Sequence, residues 1–249
     1  MQAERESIRV EALSYAFQPI VDIANRLPYA YEALLRGAHN EPAGVILGPL
    51  DETAIEAIDQ IARPRAIALA ARLGLRTRLH LNFQPRSLAS SSAVIEETLA
   101  LANRYGFDNE QVVLEVTENQ VIDDQRRFAD AINEFRAEGV LVAIDDFGAG
   151  YSGLNLLANF QPDLVKFDME LVRGIAHHGP RQAIVRAIRQ ACSDLGIDVI
   201  AEGVETLEEY YWFEDEGVTL FQGYLFARPG FEALPSPSFP GVRPMIRVL

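Results

Sequence analysis

Eight short apolar runs, rich in β-branched and aromatic residues, recur along this chain and are mostly separated by longer amphipathic segments. The runs are Tyr15–Val21, Ala30–Leu35, Arg78–Phe83, Val112–Val116, Leu141–Asp145, Leu164–Phe167, Asp198–Ala201 and Thr219–Leu225, and their length and composition predict strands. Between them, Glu52–Leu73, Val94–Tyr105, Asp123–Glu138, Pro180–Leu195 and Thr206–Gly217 carry helical periodicity, with Asp123 and Thr206 placed as N-caps. Near-continuous apolar strands alternating with helices call for a parallel sheet covered on its faces. Eight of them in about 230 residues match the size of a closed TIM (β/α)8 barrel. The segment Asp22 to Leu27 is too short to hold a crossover helix, so the first two strands are expected to pair antiparallel. The barrel is assigned to residues 13–233, after an N-terminal extension at 1–12. Four prolines and little apolar periodicity make Leu234–Leu249 an irregular tail.

The chemistry is expected where the apolar runs stop. The second run continues into Glu32, the third ends at Asn82, the fourth at Glu115 and the fifth at Asp145-Asp146. The sixth contains Lys166, the seventh ends beside Glu202, and the eighth contains Gln222. In a barrel, residues near the carboxyl ends of the strands surround a single mouth. Carboxylates gathered there raise one another's pKa unless counter-charge is supplied. Four or five carboxylates and an amide oxygen make a hard-oxygen site suited to Mg²⁺ or Mn²⁺. Two such ions would activate a water and clamp a phosphodiester, and Lys166 would hold that water or steady the developing charge.

The remaining composition narrows the class of partner. With 36 acidic against 22 basic residues, a formal net charge of −14 repels a nucleic-acid backbone, so neither DNA nor RNA is expected as a partner. A small phosphorylated ligand remains compatible if divalent cations lie between it and the carboxylates. The single cysteine, Cys192, excludes an intrachain disulfide and a thiolate zinc cluster, and suits a reducing compartment. The charged opening MQAERESIRVEAL lacks the apolar core of a signal peptide, and no run of about 18 apolar residues offers a membrane span. A cytoplasmic protein without membrane attachment is the expectation.

Taken singly, each of these residues has an ordinary reading. Glu-Ala-Leu is a common helical tripeptide, Asp-Asp caps helices, and Asn82 or Glu202 would sit comfortably in a loop or on the surface. Together they resist it, because unpaired charges are rarely placed at the inner ends of apolar strands. The run Asp146-Phe147-Gly148-Ala149-Gly150-Tyr151-Ser152-Gly153 fits an ordinary tight turn or, beside the acidic pair, a loop coupled to the cation site. His80, two residues before Asn82, reads as a satisfied interior histidine. His177-His178 reads as a solvated loop, Tyr210 to Phe213 as a packing stripe, and Glu208 to Glu216 as otherwise a solvated acidic face.

The ordered set Phe17-Gln18-Pro19-Ile20-Val21-Asp22, Glu32-Ala33-Leu34-Leu35-Arg36, Leu81-Asn82, Leu114-Glu115-Val116-Thr117-Glu118, Ile144 to Ser152, Val165-Lys166-Phe167-Asp168, Ala201-Glu202-Gly203-Val204-Glu205-Thr206 and Gln222 to Pro229 resembles the EAL-domain cyclic di-GMP phosphodiesterases over nearly the whole chain. The resemblance implies a modified barrel with an antiparallel first strand. It implies Glu32, Asn82, Glu115, Asp145, Asp146 and Glu202 as metal ligands, Lys166 as the residue orienting the attacking water, and Arg36 and Gln222 as substrate contacts. Glu118 would anchor the glycine-rich loop and Glu205 would support the site. It further implies hydrolysis of cyclic di-GMP to linear pGpG with Mg²⁺ or Mn²⁺, inhibition by Ca²⁺, and a homodimer. Ala149, Asn119 and His80 depart from the family pattern without removing a ligand. Family members most often carry sensory or cyclase domains, and neither is expected here. Two other readings stand beside hydrolysis: a non-catalytic cyclic di-GMP receptor or scaffold, and a Mg²⁺-assisted proton abstraction with Lys166 as base.

Overall fold

The computed structural model describes residues 13–83, 92–117, 125–148 and 153–241. Its strands are β1 (Leu13–Asp22), β2 (Leu27–Gly37), β3 (Arg78–Asn82), β4 (Val112–Thr117), β5 (Leu141–Phe147), β6 (Leu164–Phe167), β7 (Asp198–Ala201), β8 (Leu220–Gln222) and β9 (Gly230–Phe231). Its helices are α1 (Ala43–Leu47), α2 (Glu52–Arg72), α3 (Ser92–Arg104), α4 (Gln125–Ala137), α5 (Gly153–Asn159), α6 (Met169–Val172), α7 (Gly179–Leu195) and α8 (Leu207–Asp215). The sheet runs β2-β3-β4-β5-β6-β7-β8-β1-β9, and an added β2–β1 pairing closes the first eight strands into a ring. Pairings from β2 round to β8 are parallel. β1 is antiparallel to both neighbours. This is a modified TIM barrel with its first strand reversed.

The reversal follows from the turn. Asp22 accepts hydrogen bonds from the backbone of Ala24 (2.8 Å) and Asn25 (3.1 Å) and from the Asn25 side chain (2.6 Å), while Arg26 takes φ 53°. An aspartate holding the backbone two and three residues ahead folds the chain straight back as a hairpin.

Two apolar shells hold the barrel. The outer one lies between strands and helices and includes Phe17, Leu81, Leu114, Ile144, Val165 and Phe221. The inner one is a single layer of Ile20, Ala30, Val113, Ala143, Leu164, Ile200 and Leu220 inside the ring. Side chains two apart on a strand share a face. Stepping two residues along from this layer therefore reaches Glu32, Glu115, Asp145, Lys166, Glu202 and Gln222. The inner layer is the floor on which those polar side chains stand.

Several local expectations need correction. The eighth strand is Leu220–Gln222, not Thr219–Leu225, because the chain turns at Gly223, where a Cβ would collide with the backbone of Val204. The short β9 then pairs with Ala16 and Phe17 of β1. Residues 234–241 are irregular yet docked. Tyr31 Oη donates to the Pro235 carbonyl (3.0 Å), Ser238 N to Phe226 O (2.9 Å), and Arg26 stacks on Phe239 at 5.1 Å. The tight β1–β2 turn supplies no covering helix, and the segment packs its Leu234 and Phe239 against the outer shell.

Glu209 does not belong to a solvated acidic face. It is buried and closes a capping box with Thr206 at the start of α8. Its carboxylate accepts from the backbone of Gly174 (3.0 Å), Glu205 (3.1 Å) and Thr206 (3.1 Å). Burial alone would raise its pKa, but these donors outweigh it and hold the group below the usual carboxylate range. His177 and His178 are exposed, as expected, while His177 Nε2 lies 3.2 Å from Glu208 and His178 caps α7 by accepting from Arg181 N. The stripe Tyr210 to Phe213 does pack inward through Tyr210 and Phe213. The expected cap Asp123 lies outside the described residues. Among them, no helix is long and apolar enough to cross a membrane.

Thr206→Ala removes one capping bond and is expected to cost about 1 kcal/mol. Glu209→Ala strands three backbone donors and should cost more, at about 1–3 kcal/mol for each donor left buried. Because the Glu209 pKa is depressed on folding, its contribution is present above the unfolded carboxylate range and fades as pH falls through the folded pKa. Urea unfolding midpoints at neutral and acid pH check both, and a Glu209→Ala midpoint equal to wild type at neutral pH contradicts the assignment.

Candidate metal centre

Carboxylate oxygens of Glu32 on β2, Glu115 on β4 and Asp145 on β5 lie within 4.8 Å of one another, and all three residues are buried. The register brings them together: Asn82 pairs with Glu115 across β3–β4, and Thr117 with Asp145 across β4–β5. Lys166 rises from β6 into their midst, fully buried, with Nζ 3.1 Å from Glu32, 3.1 Å from Glu115, 3.0 Å from Asp145 and 3.4 Å from Glu202. Gln222 Nε2 donates to Glu32 at 2.7 Å, and Asn82 Nδ2 lies 3.4 Å from the other Glu32 oxygen.

Asp146 is set differently. Three residues of β5 span the interval that two of β6 cover, a bulge between Ile144 and Phe147. Asp146 takes up the extra length with φ 53°, a left-handed conformation that aspartate tolerates better than most residues. On the other side, Gly203 follows Glu202 with φ 70°, and a Cβ there would strike Met169. Asp146 therefore sits on backbone turned away from regular strand geometry, and the chain turns directly after Glu202.

The electrostatics are strained. Burial, then Glu32 and Asp145, push Glu115 well above the ordinary carboxylate range against the pull of Lys166. Burial, reinforced by Asp145, Glu32 and Asp146, pushes Glu202 up to about 8. Burial, with Asp145 and Asp168, lifts Asp146 to about 6. For Lys166, burial lowers the pKa, but Asp145, Glu115, Glu202 and Glu32 outweigh it and hold the ammonium charged.

A divalent cation fits this donor set. Glu115 Oε2, Asp145 Oδ1 and Glu202 Oε2 are buried oxygens without a hydrogen-bond partner, the last two meeting Lys166 only as ion pairs. Acceptor-only atoms orphaned at one point are what hard-cation ligands look like before coordination.

The other expected residues are dispersed. Arg36 lines a cleft of about 310 Å³ beside Glu32 and Asn82, with Nη1 donating to the Leu35 carbonyl at 2.8 Å. Glu205 does not reach the carboxylates and is gripped by Arg173 in a two-bond fork of 2.7 and 2.5 Å. Glu118, Asn119 and most of the glycine-rich loop, 149–152, lie outside the described residues.

Two residues escaped the sequence reading. His80 is not a satisfied interior histidine: Nδ1 lies 2.7 Å from Glu115 Oε1, and Nε2 has no partner. Its spacing from Asn82 was the available signal. Arg63 is buried in the same cleft, paired with Asp59, 3.3 Å from Thr98 Oγ1 and stacked 4.1 Å over Phe83. Its periodicity on α2 carried no warning, since an arginine on a helix is ordinarily exposed.

Comparison with known proteins agrees with this architecture. The family model described as EAL domain matches residues 1–229. The blue light- and temperature-regulated antirepressor BluF of Escherichia coli is 37% identical over 91% of this chain and 56% of its own length. The cyclic di-GMP phosphodiesterase PA2567 of Pseudomonas aeruginosa is 30% identical over 88% of this chain and 38% of its own length. The calcium/cyclic di-GMP complex of Klebsiella pneumoniae BlrP1 superposes with a TM-score of 0.86 at 39% identity, covering 91% of this chain and 58% of that one. The chain thus spans little more than half the length of these relatives, or less. The reversed first strand, the carboxylates standing on one inner layer and the match to residues 1–229 agree: this chain belongs to the EAL domain family.

Proposed function

We propose that the chain hydrolyses cyclic di-GMP to linear pGpG using Mg²⁺ or Mn²⁺, with Ca²⁺ inhibitory. The observation that carries the reading is the ring of Glu32, Glu115, Asp145 and Glu202 around Lys166, with orphaned oxygens at its centre. With Asp146, five ionised carboxylates against one ammonium leave four net negative charges, which two divalent cations match. Held there by Glu32, Asn82, Glu115, Asp145, Asp146 and Glu202, such a pair supplies Lewis-acid polarisation of the phosphodiester and lowers the pKa of water.

The protein's own groups divide the remaining work. Lys166, kept cationic, orients the attacking water and steadies the negative charge developing on the phosphate oxygens. Gln222 holds one Glu32 oxygen and thereby fixes that carboxylate. Arg36, at the cleft beside Glu32, offers a planar cation to the second phosphate of the dinucleotide. Glu205, through Arg173, ties the β7–α8 connection to the segment after α6, and Glu118 would anchor the glycine-rich loop. A homodimer in the cytoplasm is the setting we assign.

The relatives support both this reading and one other. PA2567 is named a cyclic di-GMP phosphodiesterase and BlrP1 is described with calcium and cyclic di-GMP, whereas BluF is named an antirepressor. The BluF similarity favours the alternative of a non-catalytic cyclic di-GMP receptor or scaffold. Incubation with cyclic di-GMP and Mg²⁺, followed by chromatography, decides between them. Hydrolysis predicts pGpG in wild type and a loss of more than about 100-fold in Glu32→Ala and Glu115→Ala, beyond the usual effect of losing a residue that only supports a ligand. Saturated binding with no pGpG instead supports the receptor.

Asp146→Asn is expected to lower turnover at limiting Mn²⁺ and to recover partly at high Mn²⁺. Wild-type turnover at limiting metal contradicts a role for Asp146 at a second ion. Lys166→Met removes the ammonium from among buried carboxylates and should destabilise the fold by about 3–5 kcal/mol in the presence of a chelator. Mn²⁺ should raise the melting temperature of this variant more than that of wild type. Melting in chelator at the wild-type temperature contradicts the charge argument.

A further inference from the structure

We infer that His80 is a positioning residue that fixes the Glu115 carboxylate for cation binding. The inference rests on the metal-dependent reading above, since Glu115 is there a cation ligand. His80 stands on β3 two residues below Asn82, level with Val113 on β4. That level belongs to the inner layer, otherwise composed of Ile20, Ala30, Val113, Ala143, Leu164, Ile200 and Leu220. An aliphatic side chain would fill this place without leaving a polar atom buried. The imidazole instead leaves Nε2 unpartnered in a fully buried position, which is destabilising. Its one strong contact is the 2.7 Å approach of Nδ1 to Glu115 Oε1.

A carboxylate that ligates a cation carries no proton, so the hydrogen in this contact belongs to Nδ1 and His80 is the donor. Glu115 Oε1 is then held twice, by His80 and by Lys166 Nζ at 3.1 Å. Glu115 Oε2 is left without a partner. A hydrogen bond and an ion pair on the same oxygen restrain the rotation of the carboxyl group and leave the other oxygen open to a cation, in a carboxylate that lies within 4.8 Å of those of Glu32 and Asp145. A hydrogen bond behind a metal ligand commonly raises metal affinity about 10–100-fold by such orientation. The Tyr29 ring, edge-on to the imidazole with centroids 6.5 Å apart, confines its own rotation.

The test is Mn²⁺ binding to the full chain, measured by titration calorimetry without nucleotide, for wild type, His80→Leu and His80→Asn. Leucine keeps the bulk and removes the donor, whereas the asparagine amide places an N–H near the position of Nδ1. The expected result is Mn²⁺ affinity weakened about 10–100-fold in His80→Leu and kept within a few-fold of wild type in His80→Asn. Wild-type affinity in His80→Leu overturns the inference, and so does equal weakening in both variants, which would mean that the shape of the imidazole is what matters. If His80→Leu does not reach the wild-type far-UV circular dichroism spectrum, His80→Ala takes its place in the same comparison. Absence of Mn²⁺ binding in wild type removes the metal-dependent reading and this inference with it. Binding in wild type with no change in His80→Leu removes this inference alone.

Discussion

One buried ammonium among four carboxylates is the interaction on which the rest of this structure depends. Lys166 is fully buried, and nothing but the surrounding acids makes that tolerable. The acids, in turn, are too many for one lysine. Their pKa values are driven upward, and buried oxygens are left unpartnered. The fold holds a concentration of negative charge that its own side chains neutralise only in part. Divalent cations are the counter-charge that such a site takes most readily.

The barrel gives this arrangement its rigidity. Each acid stands on an element that also contributes to the apolar layer two residues below, so none can move without disturbing the floor. The reversed β1 brings Gln18 and Gln222 to the same wall as Glu32, with Gln222 bonded to both. Where a carboxylate must leave the strand path, the backbone departs locally, through the bulge at Asp146 and the glycine after Glu202. At Asp146 the irregularity gives a functional group an aim that a regular strand does not provide.

Much of this was legible in the sequence because a strand has period two. Once the apolar runs were recognised, the polar residue ending each run had to face the barrel mouth, and Glu32, Glu115, Asp145 and Lys166 do converge there. The antiparallel first pair was likewise written in the length of the Asp22–Leu27 turn. What remained hidden depended on partners distant in sequence. His80 looked like filler because its partner, Glu115, lies 35 residues away. Glu209 looked solvated because two of its three backbone donors precede α8 at the Glu205–Thr206 approach and the third, Gly174, belongs to another loop. Arg63 drew no notice because helical periodicity says nothing of an aromatic ring arriving from the end of β3. The length of β8 was overestimated because an apolar run does not reveal that Gly223 must pass against Val204.

The claim at the centre of this account is that the acids gathered around Lys166 are a site for two divalent cations. Anomalous diffraction at the manganese edge, from crystals of the chain grown with Mn²⁺ and cyclic di-GMP, tests it most directly. Two anomalous peaks within bonding distance of Glu32, Glu115, Asp145 and Asp146 are predicted. No peak at the barrel mouth under saturating Mn²⁺, with Lys166 still paired to all four carboxylates, would contradict it.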